Sequence, residues 1–149
     1  MDIVGSDGEP LPELTSRMAG DQNDAKALGT TYSALAGFCS MYTSATLMRR
    51  TSLEQIGGFD ENLDTYEDWD LYLRLALEAQ LEYVNCAAAR YRVWSGNVAW
   101  DRTAWGVVQV SEKHFAMLPS MALDERELAE FRYHAIGWRG QIRQSSAGT

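Results

Sequence analysis

At 149 residues and 46% hydrophobic, the chain is sized for one globular domain, which buries roughly 68–70% of the surface its unfolded form exposes. Twenty-one acids against thirteen bases give a formal charge of −8, which argues against a nucleic-acid binder, because that work needs a basic face to neutralise phosphates. No apolar run approaches the ~20 residues that span a bilayer, and the two cysteines, Cys39 and Cys86, have no metal-ligand spacing, so a cytoplasmic chain with reduced thiols is expected.

In chain order, Met1 to Val4 reads as a short strand and GSDGEP (Gly5 to Pro10) is dense in turn formers, predicting a strand, a tight turn and a second short strand. Leu11 to Thr30 is polar and acidic, a surface loop with one helical turn. From Thr30 to Arg50 the chain turns apolar and β-branched, and SATLMRR predicts a buried strand ending on the pair Arg49-Arg50. Thr51 and Glu54 have the spacing of a capping box and Gly57-Gly58 supplies a stop, so Ser52 to Ile56 is read as one or two helical turns.

After the loop Phe59 to Asp64, a helix is predicted from Tyr66 to Gln80, capped by Asp64 or Thr65, with Glu67 and Asp68 at the positive end of its dipole. Its stripes Trp69, Tyr72, Leu73, Ala76 and Leu71, Leu75, Ala79 predict burial on most of its circumference. Asp70, Arg74 and Glu78 form a narrow charged seam, worth only ~0.2–0.5 kcal/mol per pair if exposed. LEYVN (Leu81 to Asn85) and ARYRVW (Ala89 to Trp94) read as two further strands, and Asp101 to Met117 as a helix ended by Pro119. Asp124 and Glu127 open a last amphipathic helix carrying Leu128, Phe131, Ala135, Trp138 and Ile142. His114 and His134 fall in predicted helices and read as ordinary surface or packed histidines.

Several of these features stand in a familiar order: Arg49-Arg50, the turn Gly57-Gly58-Phe59-Asp60-Glu61, the acidic Glu67-Asp68-Trp69-Asp70, Arg74, and Tyr91-Arg92. From about Leu47 to Trp100 the chain resembles the second half of family 2 glycosyltransferases, nucleotide-sugar enzymes of the GT-A fold, and VGSDGEPL is similar to a hairpin that many members carry ahead of this region. The resemblance implies an α/β chain with part of a GT-A-like fold, a short mixed sheet flanked by helices and C-terminal amphipathic helices. Residues 1–120 would form the half-domain, and residues 121–149 a helix and frayed tail.

It also implies a chemistry. Asp68 would be the general base that takes the proton of an acceptor hydroxyl as that oxygen attacks the anomeric carbon of a nucleotide-sugar donor with inversion. Glu67 would orient the acceptor or Asp68. Trp69 would pack on a sugar face or on the core, and Asp60 would contact the acceptor or cap its loop. Arg49 and Arg92 would face the diphosphate or lie solvated at strand ends. Without the resemblance, Glu67 and Asp68 read as helix-start charges worth typically 0.3–1 kcal/mol each.

Three departures bear on the reading. Family members carry a nucleotide-binding half ending in an Asp-x-Asp motif that holds Mn²⁺ or Mg²⁺, whereas only about forty-six residues precede the matched stretch here, and Asp21 to Asp24 (DQND) is not preceded by a buried strand. Where many relatives place a metal-binding histidine, this chain reads Val93-Trp94-Ser95, so no metal ligand is assigned. The Gln-x-x-Arg-Trp motif of processive members is missing. The expected protein is an acceptor-side portion of a glycosyltransferase, truncated, split or degenerate. The alternative is a non-catalytic carbohydrate- or partner-binding module that forms homo- or hetero-oligomers through exposed apolar surface.

Overall fold

The computed structural model describes residues 2–16, residues 31–94 apart from 38, 40, 85 and 87, residues 100–120, and, beyond these, only 123–126, 128–129 and 132–133. Strand β1 (Asp2–Val4) pairs in parallel with β2 (Arg90–Arg92), in the register Asp2 to Arg90, Ile3 to Tyr91 and Val4 to Arg92. Between them run helices α1 (Tyr32–Gly37), α2 (Arg50–Gln55) and α3 (Glu67–Glu78), with a 3-10 turn at Thr43–Ala45. Helix α4 (Trp100–Met117) follows and tightens into a second 3-10 turn, Leu118–Ser120, at Pro119.

The architecture is mixed α/β, as expected, but the sheet among the described residues is a parallel pair. The predicted hairpin is present in reduced form: one antiparallel bridge joins Val4 and Pro10, and the Leu11 amide donates to the Ile3 carbonyl at 2.9 Å. Two expected strands are corrected. Residues 81–84 have no regular structure, and SATLMRR is a 3-10 turn followed by four irregular residues in which Leu47 is 99% exposed. A β-branched composition favours a pleated, half-buried surface, and among the described residues no neighbouring strand supplies one here.

Helix α3 is the centre of the core. Trp69, Leu71, Tyr72, Leu73 and Leu75 are all buried, and α1, α2 and α4 pack around it with Tyr32, Leu35, Val107 and Val110. Each such side chain contributes roughly 1.5–3 kcal/mol on burial. The stop at Gly57-Gly58 is as expected: both have positive φ, +81° and +73°, and their amides close on Glu54 and Leu53 carbonyls.

The predicted caps are not. Helix α2 begins at Arg50, so Thr51 lies within its first turn and makes no capping box; Arg50 Nε instead reaches Glu54 Oε1 at 2.8 Å. Helix α3 begins at Glu67, so the cap position falls on Tyr66, which makes no side-chain cap hydrogen bond, and not on Asp64 or Thr65. Of the last predicted helix, Leu128 lies among the described residues and packs against the core; Phe131, Ala135, Trp138 and Ile142 lie outside them, as does the DQND stretch.

Candidate functional site

Three neighbouring acids at the start of α3 meet three different environments. Glu67 is exposed, Asp68 half-buried and Asp70 wholly buried. Tyr66, which precedes them, stands in the left-handed region at φ +59°, ψ 22°, an arrangement that costs a bulky residue about 1–3 kcal/mol. The bend lets its ring meet Trp69 edge-on, with centroids 5.8 Å apart, and turns the first residues of α3 away from the incoming loop.

Asp68 is held at both oxygens. Oδ1 accepts the Trp69 amide at 2.8 Å, satisfying one of the orphan donors of the helix start, and Oδ2 accepts the Thr43 hydroxyl at 3.3 Å. Burial pushes its carboxyl above the ordinary carboxylate range; the Trp69 and Thr43 hydrogen bonds act against this, and the neighbouring Glu67 charge adds to it. A half-buried carboxylate made more basic than usual, fixed at a helix N-terminus and reachable from solvent, is suited to accept a proton.

Around it lie groups that the sequence did not single out. Tyr72, one turn further along α3, sets its hydroxyl 3.4 Å from Thr43 Oγ1 and Thr46 Oγ1. The Thr46 hydroxyl is itself tied to the Tyr42 carbonyl at 2.8 Å, and the Tyr42 ring meets that of Tyr91 in β2 at 5.6 Å. Cys39 is near enough that the Asp68 and Glu67 charges reinforce burial in pushing its thiol up, which keeps it protonated. The i, i+4 spacing of Asp68 and Tyr72 was a usable signal; nothing in the sequence points to Thr43, twenty-five residues away.

Asp70 has the opposite character: it and Arg74, one turn apart in the charged seam, form a largely buried structural pair. Its Oδ1 accepts Lys113 Nζ at 2.8 Å and His114 Nε2 at 2.9 Å, while Oδ2 takes the Arg74 guanidinium at 2.8 Å. Burial alone would raise this carboxyl, but the His114, Lys113 and Arg74 contacts outweigh it and hold Asp70 well below the usual range. Arg74 also grips the Ile56 and Gly58 carbonyls at 2.8 and 2.7 Å, and His114 Nδ1 meets the Tyr32 hydroxyl at 3.0 Å. The acid thereby ties the Gly-Gly turn, α1 and α4 to α3. Every buried side-chain nitrogen and oxygen among the described residues has a partner.

The other expected site residues do not gather at Asp68. Trp69 is 2% exposed and donates its indole N–H to the Leu35 carbonyl at 2.7 Å, so it packs in the core and has no face to offer a sugar. Asp60 caps its own loop: Oδ1 accepts the Asn62 amide at 3.0 Å, and Oδ2 pairs with Lys113 at 2.7 Å, which with the Asn62 bonds lowers its pKa to about 2. Arg92 Nη1 is spent on the Ser6 and Gly5 carbonyls at 2.6 and 3.2 Å, fastening β2 to the turn after β1. Arg49 is exposed at the residue before α2.

The divalent cation implied by the resemblance does not fit the residues present. Among the described residues no group of three or more His, Cys, Asp or Glu side chains is arranged to hold a metal, and both Asp68 oxygens already accept hydrogen bonds. Among the described residues, too, no helix is long and apolar enough to cross a membrane.

The model of the glycosyltransferase-like family 2 matches residues 15–108, more than half of the chain, and the chain belongs to that family. The match begins well before Leu47 and so takes in α1 and the Thr43–Ala45 turn as well as α3. Among curated proteins, the "Uncharacterized glycosyltransferase YwdF" of Bacillus subtilis (strain 168) is 35% identical over 60 residues, 40% of this chain and 22% of that protein. The matched stretch thus spans about a fifth of that relative's length. No solved structure matches at a significant level.

Proposed function

We propose that the chain is the acceptor-side portion of an inverting family 2 glycosyltransferase, which transfers a sugar from a nucleotide-sugar donor to an acceptor hydroxyl with Asp68 as general base. The observation that carries this is the state of Asp68: a carboxylate fixed at both oxygens, half-open to solvent, and pushed by burial above the ordinary carboxylate range. As the acceptor oxygen bonds to the anomeric carbon, its proton passes to Asp68, and the bond from that carbon to the diphosphate breaks with its electron pair leaving on the nucleoside diphosphate. Glu67, exposed beside Asp68, is placed to orient the acceptor. A longer natural form of the protein would supply the nucleotide-binding half and its Asp-x-Asp pair.

Two measurements test this. Sugar transfer by the longest natural form should fall about 10²- to 10⁴-fold in Asp68→Asn, the usual worth of a positioned base, while Glu67→Gln should weaken acceptor use chiefly through KM. The 149-residue chain alone, titrated with nucleoside diphosphate and Mn²⁺ in a calorimeter, should give no heat. Transfer unaffected by Asp68→Asn would overturn the assignment.

A further inference from the structure

We propose that Thr43 and Tyr72 are positioning residues for Asp68: a hydroxyl chain from Tyr72 through Thr43 to Asp68 Oδ2 that fixes the carboxylate's rotamer and its readiness to take a proton. The inference rests on the reading of Asp68 as the base, but its own test does not need activity.

The geometry is directional. The Tyr72 hydroxyl donates to Thr43 Oγ1 at 3.4 Å, and the Thr43 hydroxyl donates to Asp68 Oδ2 at 3.3 Å. Because Oδ1 is already committed to the Trp69 amide, the Thr43 contact is what decides the direction of the second oxygen. Chains of hydroxyls polarise one another, so a donor whose own oxygen accepts a hydrogen bond is a better donor. Tyr72 is 1% exposed and belongs to the rigid core face of α3, whereas Thr43 lies on the exposed 3-10 turn. The Thr46 hydroxyl, bonded to the Tyr42 carbonyl at 2.8 Å and lying 3.4 Å from the Tyr72 oxygen, closes the turn on the same phenol. Tyr72 thus anchors a surface turn by its hydroxyls, and that turn in turn holds Asp68.

Four further ionisable groups lie near this carboxylate. The Glu67 charge beside it on α3 raises it, and the Asp68 charge in turn helps burial to push up Cys39 after α1, Tyr66 at the helix start and Tyr72. These last three therefore stay protonated at neutral pH. Among the contacts that oppose the effect of burial on Asp68, the Thr43 bond is the one that comes from a side chain outside α3 and can be removed by substitution.

The test is a carbon-detected NMR titration of the Asp68 carboxyl in the 149-residue chain, comparing native protein with Thr43→Val, Thr43→Ala, Thr43→Ser and Tyr72→Phe. Loss of a hydrogen bond to the charged form raises a carboxyl pKa, so Thr43→Val and Thr43→Ala should titrate higher than native. Thr43→Ser, which keeps the hydroxyl, should restore the native value. Tyr72→Phe should move it upward by less, as it removes only the polarising donor. Thr43→Val and Thr43→Ala titrating as native, or Thr43→Ser failing to restore the native value in a folded chain, would overturn the proposal. A shifted Asp68 titration together with transfer indifferent to Asp68→Asn would leave the hydroxyl chain standing and remove the base.

Discussion

Asp68 and Asp70 are two positions apart on one helix and differ in everything that decides what a carboxylate can do. Asp70 is depressed, fully buried and matched by Arg74, Lys113 and His114; Asp68 is raised, half-open and held by backbone amides and the Thr43 hydroxyl. Neutralising this buried acid takes the carboxylate partner from Arg74 and one of two from Lys113, so Asp70→Asn should cost about 3–5 kcal/mol in denaturant unfolding. Asp68→Asn removes a charge that burial penalises and keeps an oxygen for the Trp69 amide, so its stability should stay within about 0.5 kcal/mol of native or rise. The pH dependence follows the same signs. A depressed carboxyl adds stability that is present above its unfolded pKa of about 3.9 and is lost as pH falls. Asp60, at about 2, and Asp70, lower still, should therefore weaken the fold as pH drops below about 4. Asp68 acts in the opposite sense, its destabilising charge being relieved on acidification. An acid unfolding curve that flattens in Asp60→Asn would locate part of this loss at the Lys113 pair.

At the scale of elements, the start of α3 is built by an approach that side-chain capping rules do not anticipate. Gly106 in α4 lies against the loop before α3: a Cβ there would collide with Thr65 Oγ1 and stand 3.0 Å from both the Thr65 carbonyl and the Tyr66 ring. Gly106→Ala should cost about 1–3 kcal/mol in thermal or denaturant unfolding by overpacking, and it should disturb the Asp68 carboxyl signal, because what gives way is the residue pair that sets the helix start. This is also where the sequence stopped being legible. The apolar stripes of α3 and the Gly-Gly stop were readable because their causes are local, a 3.6-residue period and a positive φ that glycine alone adopts freely. The left-handed Tyr66, the Lys113–Asp60 pair and the Thr43–Asp68 contact depend on segments 25 to 53 residues apart meeting in space, and no periodicity encodes such meetings. Asp68 was singled out through its order relative to neighbouring motifs. For Trp69 the sequence left a sugar face and the core both open, because an aromatic beside a helix-start acid serves either; its N–H found Leu35 in the core.

For the whole molecule the decisive contrast lies between a well-packed helical core and a minimal sheet. Among the described residues the sheet has two strands of three residues, separated by the segment that carries α1, α2 and α3. Parallel sheets ordinarily need more strands and cover on both faces. One edge of β1 is occupied by residues 9–11 and by Thr15, whose hydroxyl accepts the Ile3 amide at 2.9 Å. Strand β2, by contrast, has Arg90 and Arg92 exposed on either side of a half-buried Tyr91. The family model reaches from residue 15 to 108, while the curated relative is several times longer than the stretch it shares; under the proposal that a longer form carries a nucleotide-binding half, its sheet would attach at β2. Opening free energy should then be unevenly distributed. In hydrogen exchange on the 149-residue chain, amides of Leu71, Tyr72 and Leu73 should be the slowest, and those of Arg90 to Val93 should exchange early even though Val93 bonds the Val4 carbonyl at 2.9 Å. In a form carrying the nucleotide-binding half, protection should rise at β1 and β2 and stay unchanged in α3. Equal protection of β2 and α3 in the 149-residue chain would mean that the two-stranded sheet is complete as it stands, and that the acceptor-side core does not depend on a second half for its order.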